Sequence, residues 1–342
     1  MRNVKPESEI RRFILARVAD RSKGIARLAA ERFSISRQAA SRHLARMVEQ
    51  GLLSAEGRTR NREYRLVVLG QVHDVEPITP DLQEDVVWRD RVLPLLLEAP
   101  ENVRDICNYG FTEMVNNAKD HSGSPTVSVS AEVTAATVKM FVIDDGVGIF
   151  RKIKDALRLE DDRHAILELV KGKFTTDPER HTGEGVFFTS RMFDWFGIGS
   201  GRLALVHRRE SGDFLIEDRE PRVGTMAALE IETSSTRTIK EVFDRYATEQ
   251  DDYAFQRTHV VVALVEVEGD KLISRSQAKR VLARLERFKE VMLDFKGVES
   301  IGPAFADEIF RVFRREHPSV HLIPVATNEE VQRMIRRAEA GV

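Results

Sequence analysis

The tightest constraint on this chain is the order and spacing of four segments in its middle third. Glu113, Asn117 and His121 are spaced by four on an expected helix from about Val103, which places all three on one helix face. A carboxylate there can orient water or take a proton from a hydroxyl. An amide oxygen one turn later can ligate Mg²⁺. The apolar run Val138–Ile143 then reads as a strand ending in Asp144-Asp145-Gly146-Val147-Gly148. A carboxylate at such a strand end can accept a hydrogen bond from an exocyclic amine, and the glycines allow a flat ring to approach the backbone. A polar loop runs from Lys171 and Lys173 through Phe174-Thr175-Thr176 to Thr182-Gly183-Glu184-Gly185, where an apolar helix begins. Backbone amides at such a start bind phosphate oxygens. Last comes Val223-Gly224-Thr225, opening the alternating strand Met226–Ile231. Singly these are ordinary: an Asp-x-Gly-x-Gly also makes turns, and Glu-x-x-x-Asn is also a solvated helix face. In this order and spacing the four together are a strong signal.

The four segments resemble the N, G1, G2 and G3 boxes of the GHKL ATPase superfamily (gyrase, heat-shock chaperone ATPases, histidine kinases), and Phe174-Thr175-Thr176 resembles the histidine-kinase lid. The resemblance covers roughly residues 100–235. It implies an α/β sandwich, a mixed sheet covered on one face by helices, that binds ATP with Mg²⁺. Asn117 would ligate the metal and Glu113 would be the catalytic or activating carboxylate. Asp144 would bind the adenine amine with Thr225 assisting, and Gly146 and Gly148 would contact the base. Thr182, Gly183 and Gly185 would cradle phosphates, His121 would share the ATP site, and Lys173 would reach in from the lid. Asn116 and Asp145 flank these positions, and a one-place shift of register would exchange them. Gly183-Glu184-Gly185-Val186-Phe187-Phe188 departs from the usual Gly-x-Gly-Leu-Gly, and no phosphoacceptor helix is present; His73 lies in a proline-containing stretch. Arg151–Lys171, helical in pattern, would form part of a lid over the nucleotide; the alternative is a plain pair of surface helices.

Charge separates the N-terminal end from the rest. Residues 1–66 hold 16 Lys+Arg against 7 Asp+Glu, a net +9, while the whole chain is at −2. A basic module on an acidic body is suited to a polyanion. Ser8–Ala19, Ile25–Phe33 and Arg37 to about Gln50 read as three helices, the third capped by Ser36. Two strands around the basic loop of Arg58, Arg60 and Arg62 follow. The set resembles a winged-helix DNA-binding domain. Arg37, Gln38, Ser41 and Arg42 would face the major groove, where Arg and Gln make bidentate bonds to base edges, and the wing arginines would meet phosphates.

The last hundred residues alternate strands and helices: Thr258–Val267, Ser274–Phe288, Glu290–Phe295, Ala304–Phe313, Val320–Val325 and Asn328–Glu339. Such alternation predicts a small α/β layer domain. Leu293-Asp294-Phe295 leading through a loop to a helix resembles the STAS domain of anti-anti-sigma factors. Where that family presents a phosphorylatable serine, this chain reads Ile301-Gly302-Pro303-Ala304, with Ser300 offset.

The expected fold class is thus multidomain α+β: a winged helix over 1–70, a linker over 71–100, a GHKL-type α/β sandwich over 101–248 with its lid at about 150–182, and a small STAS-like α/β domain over 255–342. A lone cysteine, Cys107, excludes a disulfide framework and a cysteine-based zinc finger, and fits a cytoplasmic protein. The charged start lacks a signal-peptide core, and no apolar run is long enough for a membrane helix. The functional expectation is a DNA-binding transcriptional regulator, in which ATP–Mg²⁺ binding or slow hydrolysis biases domain arrangement or homodimerisation. The alternative is a serine/threonine protein kinase, resembling anti-sigma kinases, that acts on a partner protein with Glu113 as base. A third possibility is a nucleotide sensor that never hydrolyses. The STAS-like domain would contact a protein partner.

Overall fold

A computed structural model describes residues 7–57, 62–173, 183–247, 256–265 and 271–341. The chain begins with α1 (Glu7–Asp20), α2 (Ile25–Phe33) and α3 (Arg37–Glu49), followed by the antiparallel hairpin β1 (Leu53–Glu56) and β2 (Glu63–Leu66). Ser36 caps α3 as expected, its Oγ accepting the Ala39 N–H at 3.1 Å. Ile14, Ala29, Ala40, Leu44 and Leu53 form a separate small core, and Phe13 meets Phe33 edge-on at 5.3 Å. This core closes on Ala135 and Ala136, in a hairpin turn of the central sheet.

The expected linker is corrected. Only Val67 separates β2 from β3 (Val68–Pro77), which pairs along its length with β4 (Thr126–Thr134). Residues 71–77 are therefore edge strand, and His73 sits within it opposite Ser130. Pro77 is tolerated because it ends an edge strand, where no ladder bond is lost. The remainder of the stretch holds α4 (Glu84–Val87) and further helical turns over Trp88–Leu96. These bury Trp88 against Phe111, with ring centroids 5.7 Å apart.

The central unit continues with α5 (Glu101–Asn117), β4, β5 (Thr137–Asp144), α6 (Ile149–Leu157), α7 (Asp162–Lys171) and α8 (Gly185–Met192). It ends with β6 (Trp195–Arg208), β7 (Gly212–Glu232) and α9 (Ile239–Tyr246). Its five strands run in the order β3-β4-β5-β7-β6. All four pairings are antiparallel, which corrects the expected mixed sheet. The reason lies in the connections: β4–β5 and β6–β7 are hairpins, and α6 to α8 carry the chain past β5 to a strand that does not neighbour it. Val129, Met140 and Leu229 are buried on the face that receives the helices.

The C-terminal unit comprises β8 (Arg257–Val261), α10 (Arg275–Leu282), β9 (Glu290–Asp294), α11 (Pro303–Asp307), α12 (Arg314–Glu316), β10 (His321–Val325) and α13 (Glu329–Glu339). Its three strands are parallel, with β9 central. The strand expected over 258–267 stops at Val261 and tightens into a 3₁₀ turn over Val262–Val265. The helix expected to Phe288 ends at Leu282, before Arg284 enters the left-handed region at φ 63°. The described molecule is mixed α/β with three separate sheets. No described helix is long and apolar enough to cross a membrane.

Candidate functional site

A cavity of about 380 Å³ opens between α5, the turn after β5, α6, α7 and the start of α8. That volume lies within the ordinary range for a small-molecule site, about 300–1,000 Å³. Its apolar floor is Val142, Ile198 and Ala227 from three neighbouring strands. Glu113, Asn117, His121, Asp144, Gly148, Gly183, Gly185 and Thr225 all line it. Segments as far apart in sequence as Glu113 and Thr225 are therefore brought to one hollow.

Asp144 is 6% exposed. Burial pushes its carboxyl above the usual range, opposed by hydrogen bonds from Gly146 and Thr225. The Gly146 N–H donates to Asp144 Oδ1 at 2.9 Å. Thr225 Oγ1 in turn accepts the Ile149 N–H at 3.0 Å, tying α6 to the floor. Gly146 itself holds the carboxylate rather than lining the cavity. Gly224 makes this arrangement possible: its φ is +68°, and an added Cβ would sit 1.8 Å from the Asp144 carbonyl oxygen. Gly224→Ala should therefore destabilise the protein by more than the roughly 1–3 kcal/mol that a forced positive φ costs. Gly123→Ala is the comparison, because Gly123 has the same φ and open space around it. Urea midpoints of the two variants measure the difference; equal losses would contradict the close-approach argument.

Gly185 is required for a related reason. A Cβ there would lie 1.9 Å from Glu113 Oε2, so this carboxylate rests directly over the first turn of α8. A helix N-terminus favours negative charge, and Glu113 occupies ground suited to a ligand's anionic group. Asn117 Nδ2 is buried in the cavity wall without a hydrogen-bond partner. Leaving such a group unpaired costs about 1–3 kcal/mol, which a ligand can recover. Burial and then the charge of Glu113 push the neighbouring Tyr109 hydroxyl upward.

The charge of the lining constrains the ligand. Among the described residues of the lining, Glu113, Asp144 and Glu184 stand against one lysine, Lys152. A polyphosphate entering here needs a cation with it. Among the described residues, no group of three or more His, Cys, Asp or Glu is placed to hold a metal ion. A magnesium ion fits this site only if most of its ligands come from the bound anion and water, which is its usual habit.

Lys152 escaped the sequence reading. It sits on α6, and its Nζ donates to the His121 carbonyl at 2.8 Å; burial lowers its pKa. Its one sequence signal is its place four residues after Gly148. Lys173 moves the other way: it is absent from the cavity lining. Its Nζ donates to the Arg287 carbonyl at 3.4 Å and lies 4.9 Å from the Phe288 ring centroid. Among the described residues Asn117 and Asp144 line the cavity and their neighbours Asn116 and Asp145 do not. Of the lid expected at about 150–182, residues 174–182, Thr182 among them, lie outside the described residues.

At the other end of the chain, Arg37, Gln38, Ser41 and Arg42 are all exposed on α3. Arg62 stands 5.5 Å from the Tyr64 ring at the base of the hairpin. Arg58 and Arg60 lie outside the described residues.

Residues 277–332 match a family model described as a STAS-like domain of unknown function (DUF4325). The match runs from α10 into α13 and bears out the STAS-like reading of the C-terminal unit. No curated protein matches the chain.

Proposed function

We propose that the central unit binds ATP with Mg²⁺ and that the N-terminal module binds duplex DNA, making the chain a nucleotide-responsive transcriptional regulator. The observation that carries the reading is the meeting of Asp144, Thr225, Asn117, Glu113 and the start of α8 in one cavity. Asp144 is the acceptor for the adenine amine. Asn117 and Glu113 stand at the metal and phosphate end, and the amides that open α8 face the phosphates. A bound magnesium ion would offset the phosphate charge that Glu113 and Glu184 otherwise repel. The element order α1-α2-α3-β1-β2 supports the winged-helix reading, with Arg37, Gln38, Ser41 and Arg42 toward the groove and the wing arginines, Arg62 among them, on phosphates.

Calorimetry with ATP, ADP and AMP, with and without Mg²⁺, tests the pocket. ATP affinity is expected to need the metal; a folded sample that takes up no purine nucleotide would sink the reading. Mobility shifts on a mixed-sequence duplex test the module. Affinity is expected to fall linearly with log salt, and absence of binding even at low salt would refute DNA recognition. Glu113 on the cavity wall also favours a second reading, a serine/threonine kinase of a partner protein. ATP labelled at its γ-phosphate separates the two: label on protein supports the kinase, free phosphate the slow ATPase.

A further inference from the structure

The helix α7 has two faces with different neighbours. Leu169 lines the cavity. Two residues on, Lys171 is 1% exposed and turned into the C-terminal unit. Its ammonium has three protons and finds three acceptors: Glu168 Oε1 at 2.7 Å, the Arg280 carbonyl at 3.1 Å and the Ala283 carbonyl at 2.8 Å. Those two carbonyls belong to the end of α10, where helix oxygens have no partners of their own and the dipole favours a cation. Lys171 thus caps a helix of the other unit. In return Thr258 of β8, 0% exposed, donates its hydroxyl to the Lys171 carbonyl at 2.7 Å.

The contacts continue along the chain. The Lys173 carbonyl accepts Arg287 Nη1 at 3.4 Å, reciprocating the Lys173 bond to Arg287. Just before α7, Glu160 pairs with Arg280 at 2.8 Å. Ile166 and Val170 share one apolar core with Val260, Val262 and Val265. The chain leaving Lys173 returns at Gly183, on the cavity rim. Leu169 of the pocket lining therefore stands on a helix whose C-terminal end is held by the C-terminal unit.

The geometry points to α7 as the coupling element through which occupancy of the nucleotide cavity and the state of the STAS-like domain control one another. This rests on the nucleotide reading above. Coupling is reciprocal in binding free energy: whatever engages the α10 end of the STAS-like domain shifts nucleotide affinity by the factor by which nucleotide shifts that engagement.

Hydrogen exchange on the full chain, with and without the non-hydrolysable analogue AMP-PNP and Mg²⁺, tests it alongside calorimetry on the same samples. Wild type is expected to show at least fivefold slower exchange over residues 278–288 on binding. Thr258→Val and Arg287→Ala, neither in the cavity, should bind the analogue within about threefold of wild type, yet lose most of that protection. Binding with unchanged exchange over 278–288 in wild type overturns the coupling and leaves the pocket standing. Full protection retained in both variants overturns α7 as the route. Absence of binding in wild type overturns the pocket reading and the coupling with it.

Discussion

Replacing Arg191 by methionine is expected to lower stability at pH 7 by about 3–5 kcal/mol, the usual loss when one partner of a buried ion pair is removed. Arg191 lies on α8, the helix that opens at the cavity, and its guanidinium grips Asp213 of β7 through two bonds of 2.6 and 2.7 Å. His207 of β6 adds a third bond to Asp213 at 2.7 Å. All three side chains are buried. Burial raises the Asp213 carboxyl, but the Arg191 charge and the bonds from His207 and Arg191 outweigh it and hold the group well below the usual carboxylate range. Burial lowers His207 against the pull of Asp213, so its imidazole is neutral at pH 7.

The pH dependence follows in sign. In wild type the depressed Asp213 contributes stability that is fully present above its ordinary value of 3.8 and is lost as pH falls through the folded value. Without Arg191, burial dominates and the folded value rises above the unfolded one. The carboxyl then contributes stability only at low pH and loses it as pH climbs. The gap between variant and wild type should therefore be widest near neutrality and narrow below about pH 4. Both tryptophans, Trp88 and Trp195, belong to the central unit, so their fluorescence in urea follows the relevant transition. A loss under 1 kcal/mol, or one of equal size at pH 4 and pH 7, would refute the argument. Arg191→Met combined with Asp213→Leu should recover most of the stability, because an apolar pair leaves no buried charge unmatched.

Local signals were legible in the sequence where one residue decides the geometry. Ser36 announces the start of α3, and Gly224 marks a strand pressed against Asp144. The four spacing by which Glu113, Asn117 and His121 share a helix face placed all three at one cavity. What escaped depends on distant partners. β3 looked like a linker because its half-polar alternation and terminal proline suit an edge strand as well as a loop, and only β4 decides between them. Lys152 and Lys173 are both lysines beside glycine turns. Nothing local says that one meets the His121 carbonyl and the other the Arg287 carbonyl. Lys171 and Arg191 are charges inside a core; Glu168 answers Lys171 from one turn earlier, but the other acceptors of both are supplied many residues later.

Asp144→Asn should reverse the base preference of the cavity. An asparagine side chain keeps an oxygen for the Gly146 N–H, now bonded at 2.9 Å, so the turn survives, while the bonds that Thr225 gives the carboxylate weaken. What changes is the other end of the group, where an acceptor becomes an N–H donor. Adenine presents an amine at its six position, and two donors then face one another. A hydrogen bond involving a charged group contributes about 1.5–3 kcal/mol, so ATP affinity is expected to fall by roughly 10–150-fold, at 1.4 kcal/mol per decade. Guanine presents a carbonyl at the same position and accepts from the new amide. GTP should therefore lose far less than ATP or gain, so the ATP-to-GTP ratio should fall, and where GTP gains it falls by more than either affinity moves alone. Titration of both nucleotides with Mg²⁺ into wild type and variant measures the ratio, with tryptophan fluorescence confirming the fold. A folded variant that keeps the wild-type ratio would remove Asp144 from base recognition, and with it the strongest reason for placing a purine in this cavity.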